Sequence, residues 1–250
     1  MTRLFGVVPA AGGGTRFGTA SPKQYALLDG VPLLVRTLDR LQSGLAFEAI
    51  VVALAPDDAR YERVVGTRTD VEPLRCGGRS RSETVRNALR AIASRCKDDD
   101  WVLVHDAARP CVPPAALSRL VRELGDDPVG GLLAMPLADT LKRADDRAGG
   151  EASQARVVAT MDREWLWCAQ TPQMFRHGVL MQALEADVRG LATDESQAVE
   201  ALGHRPRLVM GSWSNLKITY PDDLALAAAI IACQRAPASG SASAPGEPPA

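Results

Sequence analysis

The sequence predicts an α/β protein built on a mostly parallel sheet with flanking helices, and three observations carry that prediction. Strand-like and helix-like segments alternate through the first half of the chain, which is the pattern of parallel strands joined by crossover helices. A length of 250 residues suits one substantial core of this kind with an appendage. The glycine-rich stretch PAAGGGTRFGTASPKQY, residues 9–25, follows directly on the apolar segment LFGVVPA. A buried strand there would deliver the loop to the carboxyl edge of the sheet, where open α/β sheets bind ligands. Together these give a Rossmann-like sheet with one further feature, a projecting β-arm.

Leu4 to Ala10 is apolar and β-branched and reads as the first strand. The loop after it fails two common phosphate-binding templates. A GxGxxG window opened at Gly12 reaches Phe17 where glycine is required, and the GxxxxG spacing of Gly13 and Gly18 is followed by Thr19 and Ala20 instead of Lys and Ser or Thr. The loop is therefore a third kind of phosphate cradle or a flexible connector. Further strands are expected at Glu48–Leu54, Val71–Cys76, Trp101–His105 and Gly130–Pro136. Between them, Ser82–Arg95 repeats Val85, Ala88, Leu89 and Ile92 at helical spacing, and Pro113–Leu124 opens on prolines suited to a first helical turn.

From Ala138 to Arg163 the rhythm changes. The stretch is polar, carries Gly149-Gly150 between two β-capable pieces and alternates around Val157-Val158, which predicts a hairpin-like arm rather than a disordered insertion. Such an arm has little core of its own, and a partner chain would supply the missing surface. Beyond it, helices are expected at His177–Val188 and from Thr193-Asp194-Glu195, then a strand at Arg207–Trp213 and a final helix at Pro221–Arg235. The tail APASGSASAPGEPPA has almost nothing to bury and is expected to be disordered. The domain is thus residues 1–235, with the arm at 138–163 and the tail at 236–250.

Composition excludes several classes. A formal net charge of −1 gives no long-range field for nucleic acid or an anionic membrane. The N-terminus MTRLFGVV lacks a signal peptide's apolar region, and the longest apolar run, LALAAAIIAC, is too short to span a bilayer, so a cytoplasmic protein is expected. The cysteines at 76, 96, 111, 168 and 233 are odd in number and form no CxxC pair, which points away from zinc and disulfides.

The distinctive polar residues gather beyond strand ends. Asp106 follows WVLVH and suits Mg²⁺ beside a triphosphate, or else caps a turn; His105 packs at the strand end. In CGGRSRSETVRNAL, two glycines permit close backbone approach, and Ser80, Ser82 and Thr84 stand at a helix entry, with Ser80 or Ser82 capping it and Glu83 completing the cap. Lys217 lies between a strand and a helix, beside Asn215 and Thr219. Arg16, Lys23 and Lys217 with one metal carboxylate, and no nucleophile or acid–base pair, suit phosphoryl or nucleotidyl transfer.

The loop PAAGGGTRFGTASPKQY, then GGRSRSETV, VHDAARP, DTLKR, MDR, QTPQ, TDE and NLKIT, occur in the order found in the 2-C-methyl-D-erythritol 4-phosphate cytidylyltransferases, the IspD family of non-mevalonate isoprenoid synthesis. The chain resembles that family over roughly residues 4 to 235. The resemblance implies that Arg16, Lys23 and Lys217 clasp the CTP phosphates, that Ala10, Ala11, Gly12, Gly78 and Thr84 read the cytosine and ribose, and that Asp106 holds Mg²⁺. It implies further that Ala107 and Arg109 border the methylerythritol phosphate, that Thr140 and Arg163 reach it from the neighbouring subunit of a homodimer with swapped arms, and that Thr171 and Thr193 complete its pocket. Thr84, Ala88, Phe17 and Arg79 depart from the residues common in the family. Arg79 stands where an acidic residue is frequent, which leaves any nucleotide contact there open. Two alternatives remain at this stage: a cytidylyltransferase for another polyol phosphate such as ribitol 5-phosphate, and a non-catalytic CTP-binding dimer.

Overall fold

The computed structural model describes residues 2–13, 17, 22–145 and 155–235. In chain order its elements are β1 (Leu4–Ala10), β2 (Leu27–Leu28), β3 (Val31–Pro32), α1 (Leu33–Gly44), β4 (Ala49–Leu54), α2 (Tyr61–Val65), β5 (Val71–Leu74), α3 (Arg81–Ile92), β6 (Trp101–Val104) and α4 (Pro114–Leu124). They continue with β7 (Gly130–Pro136), β8 (Leu141–Ala144), β9 (Val157–Met161), β10 (Trp167–Arg176), α5 (His177–Ala186), α6 (Glu195–Ala201), β11 (Arg207–Met210) and α7 (Asp223–Arg235).

Seven strands form one sheet in the order β11-β7-β10-β6-β1-β4-β5. All neighbours are parallel except β10, which runs antiparallel to β6 and to β7. Alternation along the strands sends successive side chains to opposite faces. Val8, Ile50, Val52 and Leu103 pack with Leu34, Leu38 and Leu41 of α1 and Leu117, Leu120 and Leu124 of α4. Val7, Val51, Val102, Val104 and Phe175 pack on the other face with Val85, Leu89 and Ile92 of α3, Leu180 and Leu184 of α5, and Val199 of α6. A third cluster brings Ile218, Ala227 and Ile231 against Phe17, Leu28, Leu33 and Cys111.

Every strand anticipated from sequence is present, several of them ended earlier. The fifth-strand region stops at Leu74, the sixth at Val104 and the last at Met210, because the residues that follow turn toward the sheet edge. The helix expected at Ser82–Arg95 is α3 followed by a 3-10 turn at Ala93–Arg95. Five elements went unread: the two-residue strands β2 and β3, α1, the short α2 and the ten-residue β10. For β10 the reason is physical. WCAQTPQMFR carries a proline and polar residues that argue against a central strand, and the fold accommodates them in a register shift between Ala169 and Gln173, where the Thr171–Pro172 peptide is cis.

The arm is a two-stranded antiparallel ladder of β8 and β9, separate from the main sheet and pairing Leu141 with Met161 and Arg143 with Ala159. Gly149-Gly150 of the expected turn, Arg16 of the first loop and the tail at 236–250 lie outside the described residues.

Candidate active site

Parallel strands put their C-terminal ends on one edge, and here β1, β4, β5 and β6 all deliver loops to it. β10 reaches the same edge by its N-terminal half, since Gln173 pairs with Val104 and the residues before it run past the end of β6. Between these loops lies a cleft of about 450 Å³, within the range of small-molecule sites, and its lining includes Ala10, Ala11, Gly12, Lys23, Thr84 and Lys217.

The glycine-rich side of the cleft is fixed by local hydrogen bonds. Ser80 caps α3 by accepting from the Glu83 N–H at 3.1 Å, and the Glu83 carboxylate accepts from the Arg79 N–H at 2.9 Å. The Thr84 hydroxyl accepts from the Gly78 N–H at 3.0 Å and donates to the Ser80 carbonyl at 2.9 Å, so it pins the glycine loop onto the helix. Gly77 has to be glycine: a Cβ there would lie 2.8 Å from the Leu54 carbonyl oxygen and 2.5 Å from the Ala11 Cβ. From the first loop, Gln24 donates to the Ala10 carbonyl at 2.6 Å, and the Lys23 ammonium donates to the Ile218 carbonyl at 2.6 Å.

At the floor stands Asp106, only 8% exposed. Its Oδ2 meets the Lys217 ammonium at 2.8 Å and Arg109 at 3.6 Å, and its Oδ1 meets Arg81 at 3.1 Å. Burial would raise the carboxyl pKa, but Arg81, Lys217 and Arg109 outweigh it and hold the group far below the ordinary carboxylate range. Arg81 also bonds the fully buried Glu195 at 2.6 Å, and these two carboxylates keep its guanidinium charged against its burial. Burial raises the Glu195 carboxyl, opposed by Arg81. The short contact is an ion pair.

Behind Asp106 runs a chain of bonds whose directions can be assigned. The Asp106 N–H donates to the Thr171 hydroxyl at 3.0 Å, and that hydroxyl lies 3.1 Å from His105 Nδ1. His105 Nε2 is 3.1 Å from the Arg109 carbonyl, which can only accept, so Nε2 carries the proton and Nδ1 accepts from Thr171. Burial pushes the imidazole pKa down to about 4, keeping it neutral. Asn215 donates to the Thr171 carbonyl at 2.8 Å, and its own carbonyl accepts from Arg109 at 2.6 Å.

The structure therefore brings Lys23, Lys217, Ala10, Ala11, Gly12, Gly78, Thr84, Asp106 and Ala107 to one cleft. Arg109 lies beneath, paired with Asp106. Thr171 supports Asp106 from behind, with its hydroxyl committed to backbone and histidine. Thr140, Arg163 and Thr193 are outside this cleft. Arg163 donates to the Ala138 carbonyl at the arm's base, and the Thr193 hydroxyl donates to Gln197 at 3.1 Å. Sequence reasoning missed Arg81, Glu195 and Gln24. A signal for Arg81 existed, because a cation in a helix's first turn opposes the helix dipole and so needs a local carboxylate.

Among the described residues no group of three or more His, Cys, Asp or Glu could hold a metal ion. The cleft offers one ionised carboxylate instead, which fits Mg²⁺, an ion that takes one or two carboxylates and fills its shell with phosphate oxygens and water. No helix among the described residues is long and apolar enough to cross a membrane.

Known proteins resemble this chain over nearly its whole length. The family model for 2-C-methyl-D-erythritol 4-phosphate cytidylyltransferase matches residues 4–233. The enzyme of that name from Dechloromonas aromatica is 52% identical over 239 residues, covering 94% of this chain and 100% of its own length. That from Laribacter hongkongensis is 51% identical, with 94% and 99% covered. A crystal structure of 4-diphosphocytidyl-2C-methyl-D-erythritol synthase superimposes with a TM-score of 0.79 at 37% identity, covering 92% of this chain and 99% of that one. The Francisella tularensis enzyme gives 0.75 at 33% identity, covering 92% and 100%. The chain belongs to the 2-C-methyl-D-erythritol 4-phosphate cytidylyltransferase (IspD) family.

Proposed function

We propose that this chain transfers the cytidylyl group of CTP to 2-C-methyl-D-erythritol 4-phosphate, giving 4-diphosphocytidyl-2-C-methyl-D-erythritol and pyrophosphate. One observation carries the residue-level reading: a buried aspartate ringed by Lys217, Arg81 and Arg109 at the floor of a cleft whose rim is glycine-rich backbone. The acceptor's phosphate oxygen attacks the α-phosphorus of CTP in line. A new P–O bond forms as the bond to the β-phosphate's bridging oxygen breaks, and that electron pair leaves on pyrophosphate. A phosphate monoester is already ionised at neutral pH, so no general base is needed, and Asp106 in the cleft lining is held too acidic by its cations to act as one.

The work left to the protein is positioning and charge neutralisation. Lys23 and Lys217, with Arg16 of the same loop, meet the triphosphate. The backbone around Ala10, Ala11, Gly12 and Gly78 takes the cytosine and ribose, with Thr84 holding that backbone in shape. Asp106 would hold Mg²⁺, which when bound offsets triphosphate charge. Ala107 and Arg109 border the acceptor.

Thr140 and Arg163 lie outside the cleft of their own chain, which supports a homodimer in which each arm serves the partner's site, with Thr193 and Thr171 completing the acceptor pocket. Exposed apolar side chains on and beside the arm, Val157 at 65% and Trp165 at 85%, support the same reading. Residues 1–235 would act as one catalytic domain, in the cytoplasm.

The test is pyrophosphate release with CTP against a panel of polyol phosphates. The methylerythritol phosphate is expected to give the highest kcat/KM. A higher value with ribitol 5-phosphate would overturn the acceptor assignment, and CTP binding without turnover on any acceptor would overturn the enzymatic one. Lys23→Met is expected to cut turnover at least 100-fold with folding kept, a loss of the order seen on removing one transition-state donor (about 10² to 10³).

A further inference from the structure

Glu195 has no part in the chemistry above, yet it is fully buried beside it. It opens α6, and its carboxylate takes Arg81 at 2.6 Å while the same guanidinium stands 3.1 Å from Asp106. Around the floor of the cleft, three cations, Arg81, Arg109 and Lys217, face two carboxylates, Asp106 and Glu195, leaving one net positive charge. That excess suits a tetra-anionic nucleotide and opposes a divalent cation. Asp106 must attract the cation through three competing partners, and Glu195 takes up part of the charge of one of them.

We propose that Glu195 is a charge-balancing positioning residue: by drawing Arg81 to itself, it leaves Asp106 negative enough to receive the metal that accompanies the nucleotide. This rests on the reading of the cleft as a CTP–metal site. Glu195 touches neither substrate nor reacting atoms and acts only through Arg81. It also ties the start of α6 to the start of α3, so the acceptor side and the nucleotide side of the cleft share one guanidinium.

Removing the Glu195 charge has opposite consequences for the two ligands, which a merely structural role would not produce. In isothermal titration of the full chain with CTP, first in EDTA and then across a Mg²⁺ series, Glu195→Gln is expected to bind CTP in EDTA as tightly as wild type or tighter. Its Mg²⁺ midpoint is expected to rise about tenfold, since a unit charge a few ångströms away shifts an ionic equilibrium by at least that order. Arg81→Gln should do the reverse, with weaker CTP binding in EDTA and a lower Mg²⁺ midpoint.

An unchanged Mg²⁺ midpoint in Glu195→Gln, or parallel losses of CTP and Mg²⁺ affinity, overturns the proposal. Should that variant fail to fold, a Mg²⁺ midpoint in Arg81→Gln at or above the wild-type value overturns it equally. Wild-type protein that binds no CTP under either condition would instead overturn the functional reading beneath.

Discussion

Asp106 and the arm show two ways of holding a polar surface. At the cleft, Asp106, 8% exposed, is fixed by side chains from four separate stretches: Arg81, Arg109 and Lys217 hold its carboxylate, and the Thr171 hydroxyl holds its backbone N–H. On the arm, Val157 and Val158 stand 65% and 58% exposed on a ladder held by its own cross-strand bonds and contacts such as Lys142 with Thr160 at 2.7 Å. A two-stranded ribbon is marginal alone. The difference teaches where change is costly: the cleft is over-determined within one chain, and the arm leaves apolar side chains uncovered.

Perturbations at the cleft should therefore be severe and those on the arm mild for folding. The largest expected effect is Lys217→Met, which removes the cation nearest Asp106 and one that the proposed reading places on the triphosphate. Turnover is expected to drop about 10³-fold, roughly 4 kcal/mol of barrier, while the circular-dichroism spectrum is unchanged. A drop below tenfold would break the assignment.

Next comes the pH dependence of stability through His105. Its folded pKa is about 4 against an ordinary 6.5. Between those values the unfolded chain takes up a proton that the folded chain refuses, so stability is full above pH 6.5 and falls as the pH drops toward 4. The fully buried ring makes this worth about 3 kcal/mol at most. Denaturant titrations at pH 7 and pH 4.5 should show a steeper loss for wild type than for His105→Asn, and equal slopes would show that the ring is accessible to protons.

Thr171→Val keeps the shape but strips the Asp106 N–H and His105 Nδ1 of their shared partner. A loss of about 1–3 kcal/mol in stability is expected from leaving buried polar groups unsatisfied, with a fall of about tenfold in kcat/KM. Loss of stability without any change in activity would separate Thr171 from the site. Smallest for folding is Val158→Lys on the arm, where an exposed position should cost less than about 0.5 kcal/mol. Its effect should show in sedimentation velocity as a shift toward monomer, and an unchanged oligomeric state would mean that the arm face is not a docking surface.

The same contrast sets what could be read from residues alone. β1, β7, α3 and α4 were legible because apolar alternation and helical spacing are local, as were the glycine loop and the cap at Ser80. α1 carried a usable signal in Leu34, Leu38 and Leu41, but it follows the long first loop with only Pro32 at its N-cap and no side-chain cap to announce it. β10 was hidden because Pro172, Gln170 and Thr171 look like loop residues until a neighbouring carboxyl edge gives their polar groups partners. Arg81 and Glu195 are 114 residues apart in sequence, and their pairing exists only once α3 and α6 pack on the same face of the sheet. Lys217 and Arg109 were recognised as residues and Arg81 was not, and the common focus of all three on one aspartate is a product of topology.

β10 enters the sheet late in the chain yet sits in its middle, between β6 and β7. A growing polypeptide that has made the first six strands still presents a bare ladder on β6, and β7, once made, has nothing to join until β10 follows. The hydroxyl that steadies Asp106 arrives on the segment that zips those halves together. Non-local pairing of this sort is entropically slow, so the backing of Asp106 and the joining of β6 to β7 are reached in the same event.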